Sequence, residues 1–233
     1  MKVIVIIPCY NESESILNVV RELKEVKPDY DYVVINDCST DNTEEILVKN
    51  GIHHINLPVN LGIGGGVQTG FKYAVENGYD ISVQLDGDGQ HDPRYLDDIV
   101  TPVAEGRCDM CVGSRFINKQ GFQSSFMRRV GIRFLSRLIK ICSGVEVFDT
   151  TSGFRAMNAA VTKYFTRSYA QDYPEPEAII SAATQGYKIS EAAVVMRERQ
   201  GGKSSINPLK SAYYMIKVSV AIILYSFSGR VKR

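Results

Sequence analysis

Three features of the 233-residue sequence predict an α/β fold with a mostly parallel central sheet flanked by helices. Short apolar runs alternate with segments of helical periodicity, as expected of successive βα units. Residues that favour helix starts recur soon after the runs. Polar clusters follow the runs, and in an open parallel sheet these clusters share the carboxyl edge, where ligands bind.

The elements follow in order. "KVIVIIP" reads as a buried strand and "ESESILNVVRELKEV" as its helix; "DYVVIND" is followed by "TDNTEEILVKN", and "HHINL" by "GGVQTGFKYAVENG". "ISVQLD" precedes "PRYLDDIVTPVAEG", and "DMCVGSRF" gives a further strand. Asn11, Asp41 with Glu44 three residues on, and Asp92 before Pro93 are the expected helix starts. The edge candidates are then Pro8 to Glu12, Asp37 to Asp41, Asn60 to Gly66 and Asp86 to Gln90.

Composition limits the function classes. A formal net charge of +1 with 23% charged residues gives no global case for nucleic acid, so partners must be read from patches. Five cysteines without a framework-like spacing fit a reducing compartment better than a secreted disulfide scaffold. The opening "MKVIVIIPCYNE" is too short in its apolar part for a secretory leader and reads as a strand. Cys108 and Cys111 form a lone C-x-x-C on a predicted strand, and His53, His54 and His91 lack a ligand cluster; none is assigned chemistry.

The most informative stretch is "ISVQLDGDGQHDP", in which Asp86 and Asp88 stand two residues apart at a strand end. A polar turn is the plain alternative. An EF-hand loop does not fit, because His91 stands where that loop needs glycine and a strand precedes it. Two carboxylates projecting into the crevice can hold a hard divalent cation and leave positions open for phosphate oxygens. "NLGIGGGVQTG" fits neither the dinucleotide fingerprint nor a Walker loop. A helix start near Gly64 to Gly66 would still offer free N–H groups to anionic oxygens.

Taken in order, "IPCYNE", "INDCSTDNT", "NLGIGGGVQTG" and "LDGDGQHDP" resemble the motifs of a family 2 glycosyltransferase with the glycosyltransferase A-type fold. The resemblance continues through "VGSRF" and "DTTSGFRAMN" to "RERQGGKSSI", over roughly residues 3 to 206, and is similar to the polyprenyl-phosphate subgroup that includes dolichyl-phosphate mannosyltransferase. It implies a nucleotide-sugar site at Pro8, Tyr10, Asn11, Glu12, Asp37, Ser39, Asn60, Gly62, Gly66, Asp86 and Gly87, with Asp37 accepting from a pyrimidine N–H. It implies Mg²⁺ or Mn²⁺ on Asp86 and Asp88, with Gln90 as a further ligand. It also implies an acceptor phosphate held by Arg128, Arg129, Ser152, Arg155, Arg197, Arg199, Lys203 and Ser204, with Asp86, Asp88, Arg155 and Arg199 as the catalytic set.

The expected activity is inverting transfer of a sugar from a nucleotide-diphosphate sugar, UDP-linked by the Asp37 reading, to undecaprenyl or dolichyl phosphate on the cytoplasmic membrane face. Transfer to a sugar hydroxyl, with Glu175 or Glu177 of "DYPEPE" as base, is the alternative; a non-catalytic nucleotide-sugar module is the other. On a helical wheel Arg129, Arg133, Arg137 and Lys140 form a basic stripe opposite Met127, Val130, Phe134, Leu138 and Ile141, a pattern suited to an anionic membrane surface. Residues 1–206 are expected to form the catalytic domain. Residues 207–233 follow as a short apolar segment for shallow membrane insertion, a membrane-protein partner or self-association.

Overall fold

The structure, a computed structural model, describes residues 1–123, 125–198 and 208–230. Seven strands, β1 (Val3–Cys9), β2 (Asp31–Asn36), β3 (His54–Asn56), β4 (Ile81–Gln84), β5 (Met110–Ser114), β6 (Arg155–Asn158) and β7 (Ile189–Ala193), form one sheet in the order β3-β2-β1-β4-β6-β5-β7. The helices are α1 (Ile16–Val26), α2 (Thr43–Lys49), α3 (Gly62–Glu76), α4 (Leu96–Ala104), α5 (Phe126–Ser143), α6 (Ala159–Phe165), α7 (Pro174–Thr184) and α8 (Pro208–Arg230).

β1 is apolar along its whole length because it lies mid-sheet, parallel to both β2 and β4, with helices over each face. Its side chains divide by strand periodicity: Ile4 and Ile6 pack with Val33, Ile35 and Phe71, while Val3, Val5 and Ile7 pack with Leu23, Val34 and Leu96. The strand order reverses across β1, with β2 on one side and β4 on the other, which opens a crevice at their carboxyl ends.

β6 departs from the parallel pattern. It runs antiparallel between β4 and β5 and sets Arg155 opposite Gln84. No βα alternation announces so short a strand, yet this pairing places a cation beside the strand that leads to the aspartate pair.

Two expected helix starts differ. Asn11 lies before α1 in a left-handed conformation, and its Oδ1 accepts from Thr40 N at 2.8 Å and Asp41 N at 3.3 Å, so it ties two edge loops together. Asp41 precedes α2 by two residues and accepts from Thr43 N at 3.0 Å and Ser13 N at 3.3 Å. Asp92 does cap the 3₁₀ turn Pro93–Tyr95, accepting from Arg94 N.

α5 and α8 carry more apolar surface than the core uses. The core face of α5 is Ile132, Leu135 and Ile139, whereas Met127, Val130, Phe134 and Ile141 from the predicted apolar stripe are exposed. α8 packs on α5 and α7 and buries Val218 and Ile222 in the core, while Ile216, Val220 and Leu224 face outward. The boundary at 206/207 therefore divides the chain but not the core. Among the described residues, no helix is long and apolar enough to cross a membrane.

Candidate active site

The nucleotide side is assembled from the ends of β1 and β2 and the start of α3. Asp37 is buried; its Oδ1 accepts from Leu61 N at 2.7 Å and its carbonyl from Asn60 Nδ2 at 3.1 Å. A Cβ added at Gly66 would stand 4.0 Å from the Cβ atoms of Asp37 and Pro8, so these three predicted residues meet. Asn11 N donates to Ser39 Oγ at 3.0 Å, Asn60 Oδ1 accepts from Gly62 N at 3.1 Å, and Tyr10 stands exposed at the rim. Ser15 Oγ lies within hydrogen-bond reach of Glu12 Oε2 at 2.9 Å and of the Gly87 carbonyl at 2.8 Å, which brings the first loop against the aspartate loop.

Gly64 serves packing. Its N–H donates to the Gln171 carbonyl at 3.1 Å, and a Cβ there would fall 2.0 Å from the Ala170 carbonyl oxygen. Backbone contact of that kind requires glycine, and it occupies one of the N–H groups, of Gly64 to Gly66, that the sequence suggested for phosphate.

Asp86 and Asp88 sit just past β4. The Asp86 side chain is 30% exposed to the crevice, whereas Asp88 is buried and accepts from Gln90 N at 3.0 Å. Gln90 is held at both backbone ends, its carbonyl accepting from Arg197 N at 2.9 Å. No cluster of three or more His, Cys, Asp or Glu close enough to hold a metal occurs among the described residues. Two oxygen-bearing side chains on one loop fit a hard divalent ion whose remaining positions are filled by diphosphate and water, and do not fit a closed structural site. His91 packs beside this loop, where its Nδ1 accepts from Asp86 N.

The acceptor side is unlike the donor side. Arg155 is 1% exposed; its Nε donates to the Ser152 carbonyl at 2.7 Å, but neither Nη atom has a hydrogen-bond partner among the described residues. Ser152 thus holds Arg155 by its backbone, while its hydroxyl accepts from Phe154 N. Around Arg155 gather Tyr169, Glu175 and Tyr214, within electrostatic reach of it, with Asp86 and Arg128 also acting on Glu175. Burial raises the Glu175 carboxyl above the usual range; Arg155 opposes that rise, Asp86 adds to it and Arg128 opposes it. Tyr214 comes from α8 and stacks edge-on against Tyr173 at 4.7 Å, so the apolar C-terminal helix contributes a wall of the crevice. No motif or spacing singles out Tyr169 or Tyr214.

Other predicted residues are placed elsewhere. Arg197 bonds Glu22 at 2.7 Å and Asp92 at 3.0 Å, which anchors the aspartate loop to α1 and draws its guanidinium away from the expected phosphate. Arg129 lies about 100° around α5 from Arg128, so one helix position separates the cation that reaches Glu175 from its neighbour. Arg199, Lys203 and Ser204 lie outside the described residues. Cys108 and Cys111 are buried free thiols, with Cys108 Sγ accepting from Ser190 Oγ at 3.0 Å.

An open sheet with a paired-aspartate loop at its carboxyl edge, beside a buried arginine, defines a glycosyltransferase of the A-type fold. Residues 4–165 match the family described as Glycosyl transferase family 2, and the chain belongs to that family. It is 31% identical to a UDP-N-acetylglucosamine–dolichyl-phosphate N-acetylglucosaminyltransferase from Methanococcus voltae over 81% of this chain and 83% of that one. It is 27% identical to an undecaprenyl-phosphate mannosyltransferase from Micrococcus luteus, covering 89% of this chain and 88% of the relative. The fold matches glucosyl-3-phosphoglycerate synthase from Mycobacterium tuberculosis, solved with Mn²⁺, UDP-glucose and phosphoglyceric acid, with a TM-score of 0.71, 19% identity and coverage of 97% and 79%.

Proposed function

We propose that the protein transfers a sugar from a nucleotide-diphosphate sugar, UDP-linked on the reading of Asp37, to a polyprenyl phosphate at a membrane surface. The observation that carries the acceptor is the buried Arg155 guanidinium, whose two Nη atoms have no partner among the described residues, beside a Glu175 carboxyl on which both Arg155 and Asp86 act electrostatically. A buried cation left so is costly unless an anion completes it, and a phosphate monoester offers oxygens at the right charge. Names of relatives point the same way.

The mechanism follows from the residues. Asp86 and Asp88 would hold Mg²⁺ or Mn²⁺, which when bound supplies positive charge to the leaving diphosphate. Asp37 orients the base from the buried loop beside Asn60. Arg155, with Arg128 at the start of α5, draws the acceptor phosphate beside the diphosphate and screens the repulsion between the two anions. A phosphate oxygen attacks the anomeric carbon, the bond to the diphosphate breaks, and configuration inverts. The phosphate is largely ionised at pH 7, since its second pKa is about 6, so no side chain need take a proton.

The exposed apolar stripes of α5 and α8, with the basic stripe of Arg129, Arg133 and Arg137 beside them, suit an anionic bilayer surface. On this reading the enzyme works peripherally or shallowly inserted at the cytoplasmic face of a membrane, and the stripes support it. A membrane-protein partner or self-association would use the same stripes.

Glu175 favours the second reading, transfer to a hydroxyl. Of the two glutamates in "DYPEPE", Glu175 reaches the crevice, while Glu177 responds to Lys217 and Asp172 under α8. The test incubates purified protein with UDP- and GDP-sugars, polyprenyl phosphate and glycan acceptors, and identifies products by mass. Transfer to polyprenyl phosphate that persists in Glu175→Gln supports the first reading. Product formed only on a hydroxyl, and lost in that variant, supports the second.

A further inference from the structure

The Asp86 carboxylate lies where β4 ends and is partly open to the crevice, so its direction must be set by neighbours. Three residues that the functional reading does not use surround it. Gln84 is 1% exposed and donates from Nε2 to Asp86 Oδ1 at 3.0 Å. Asp86 N donates to His91 Nδ1 at 3.0 Å. With Nδ1 serving as acceptor, the neutral ring carries its hydrogen on Nε2, which stands 3.7 Å from Asp86 Oδ2, beyond hydrogen-bond length but facing the second oxygen. The ring is held in that plane by stacking on Phe154, with centroids 5.0 Å apart and planes 14° from parallel.

Gly153 closes the remaining side. A Cβ there would lie 3.0 and 3.1 Å from the two Asp86 oxygens and 2.8 Å from Gln84 Nε2. Any side chain would displace the carboxylate or the amide that orients it. Gln84 is also the ladder partner of Arg155, so the aspartate's orienting amide and the acceptor cation share one rung of the sheet.

We infer that Gln84, His91 and Gly153 are positioning residues that fix the Asp86 carboxylate in the orientation in which it meets a divalent ion. The inference rests on the metal role of Asp86 proposed above. Carboxylate ligands bind well when their lone pairs are aimed before the ion arrives, and partners behind such ligands typically matter by about 10–100-fold in metal affinity. Here one oxygen is aimed by an amide, the backbone by an imidazole, and the space beside both is kept clear by the lack of a side chain.

The experiment measures Mn²⁺ affinity directly, from the electron paramagnetic resonance signal of free Mn²⁺ titrated with protein in the presence of UDP or GDP, alongside thermal melting. Gln84→Met removes the donor at nearly constant shape, and Gly153→Ala adds the obstructing methyl. Both should weaken Mn²⁺ by about 10–100-fold while the melting temperature changes little. Excess Mn²⁺ should restore turnover more fully in Gln84→Met than in Asp86→Asn. His91→Asn, which keeps an acceptor near the Nδ1 position, should retain more affinity than His91→Phe, which keeps only the stack. Should Gly153→Ala fail to fold, Gln84→Met decides. Wild-type Mn²⁺ affinity in folded Gln84→Met overturns the inference and leaves the metal reading intact. A wild-type protein that takes up no Mn²⁺ with either nucleotide overturns the metal reading and this inference together.

Discussion

The donor and acceptor halves of the crevice treat polar groups in opposite ways. On the donor side, Asp37 meets a hydrogen-bonding partner from a neighbouring loop, and Asp88 and the Asp86 backbone meet partners within their own loop. On the proposed acceptor side, Arg155 is buried with two nitrogens that have no partner among the described residues, and Glu175 is desolvated beside it. The first half is organised in advance by the protein itself, whereas the second leaves part of its hydrogen-bonding capacity unused among the described residues. On the proposed reading, donor recognition is rigid and the acceptor anion completes the cation.

The largest effect should come from the donor side. Asp86→Asn or Asp88→Asn should lower the transfer rate by about 10²–10³-fold, because the leaving diphosphate loses its charge support, and chelator should act likewise. Full turnover in chelator would remove the metal from the comparison. Next in size is Arg155→Met, which should lose about 10²-fold in transfer, from two charge-assisted hydrogen bonds of about 1.5–3 kcal/mol each. Its melting temperature should hold or rise, since a buried cation without a full partner is replaced by an apolar chain. A large fall in melting temperature with activity kept would make Arg155 a structural residue and erase the contrast between the halves.

The outer surface provides a smaller test. Replacing Ile216, Val220 and Leu224 together by Ser should reduce binding to anionic vesicles by about tenfold or more at unchanged stability, because these side chains face outward while Val218 and Ile222 hold the helix. Deleting α8 outright is a poorer test, since it removes core and the Tyr214 wall as well. Unchanged vesicle binding in the triple variant would assign the stripe to another contact.

The smallest expected effect is on pH dependence. Burial raises the Glu177 carboxyl, with Lys217 opposing and Asp172 adding. An acid with a raised pKa in the folded state binds its proton more tightly there, so the stability it contributes is full below the unfolded value and is lost as pH rises through the folded one. Glu177→Gln should therefore flatten part of the fall in melting temperature across the range just above ordinary carboxylate values. An identical slope in both proteins would show that Glu177 titrates normally.

Much of this arrangement was legible before folding was considered. The alternation of apolar and helical segments gives the parallel part of the sheet, because strand and helix periodicities are local. The aspartate pair, Asp37 and the glycine segment fall at strand ends, so their gathering on one edge follows from parallel topology alone. Helix caps were less legible: Asn11 and Asp41 have the right chemistry, but contacts across loops claim the Asn11 side chain and share that of Asp41.

What the amino-acid order determined by itself was the fold class, the donor edge and the family motifs, since each depends on neighbours within a few residues. Tertiary structure alone decided which cations and acids gather beside the aspartate loop. The antiparallel insertion of β6 brings Arg155 against Gln84, 71 positions earlier by residue number, and the partners Glu22 and Asp92 claim Arg197. Helix phase sends Glu175 to the crevice and Glu177 beneath α8. These outcomes turn on long-range pairing and on the direction in which a packed helix faces, and spacing along the chain encodes neither.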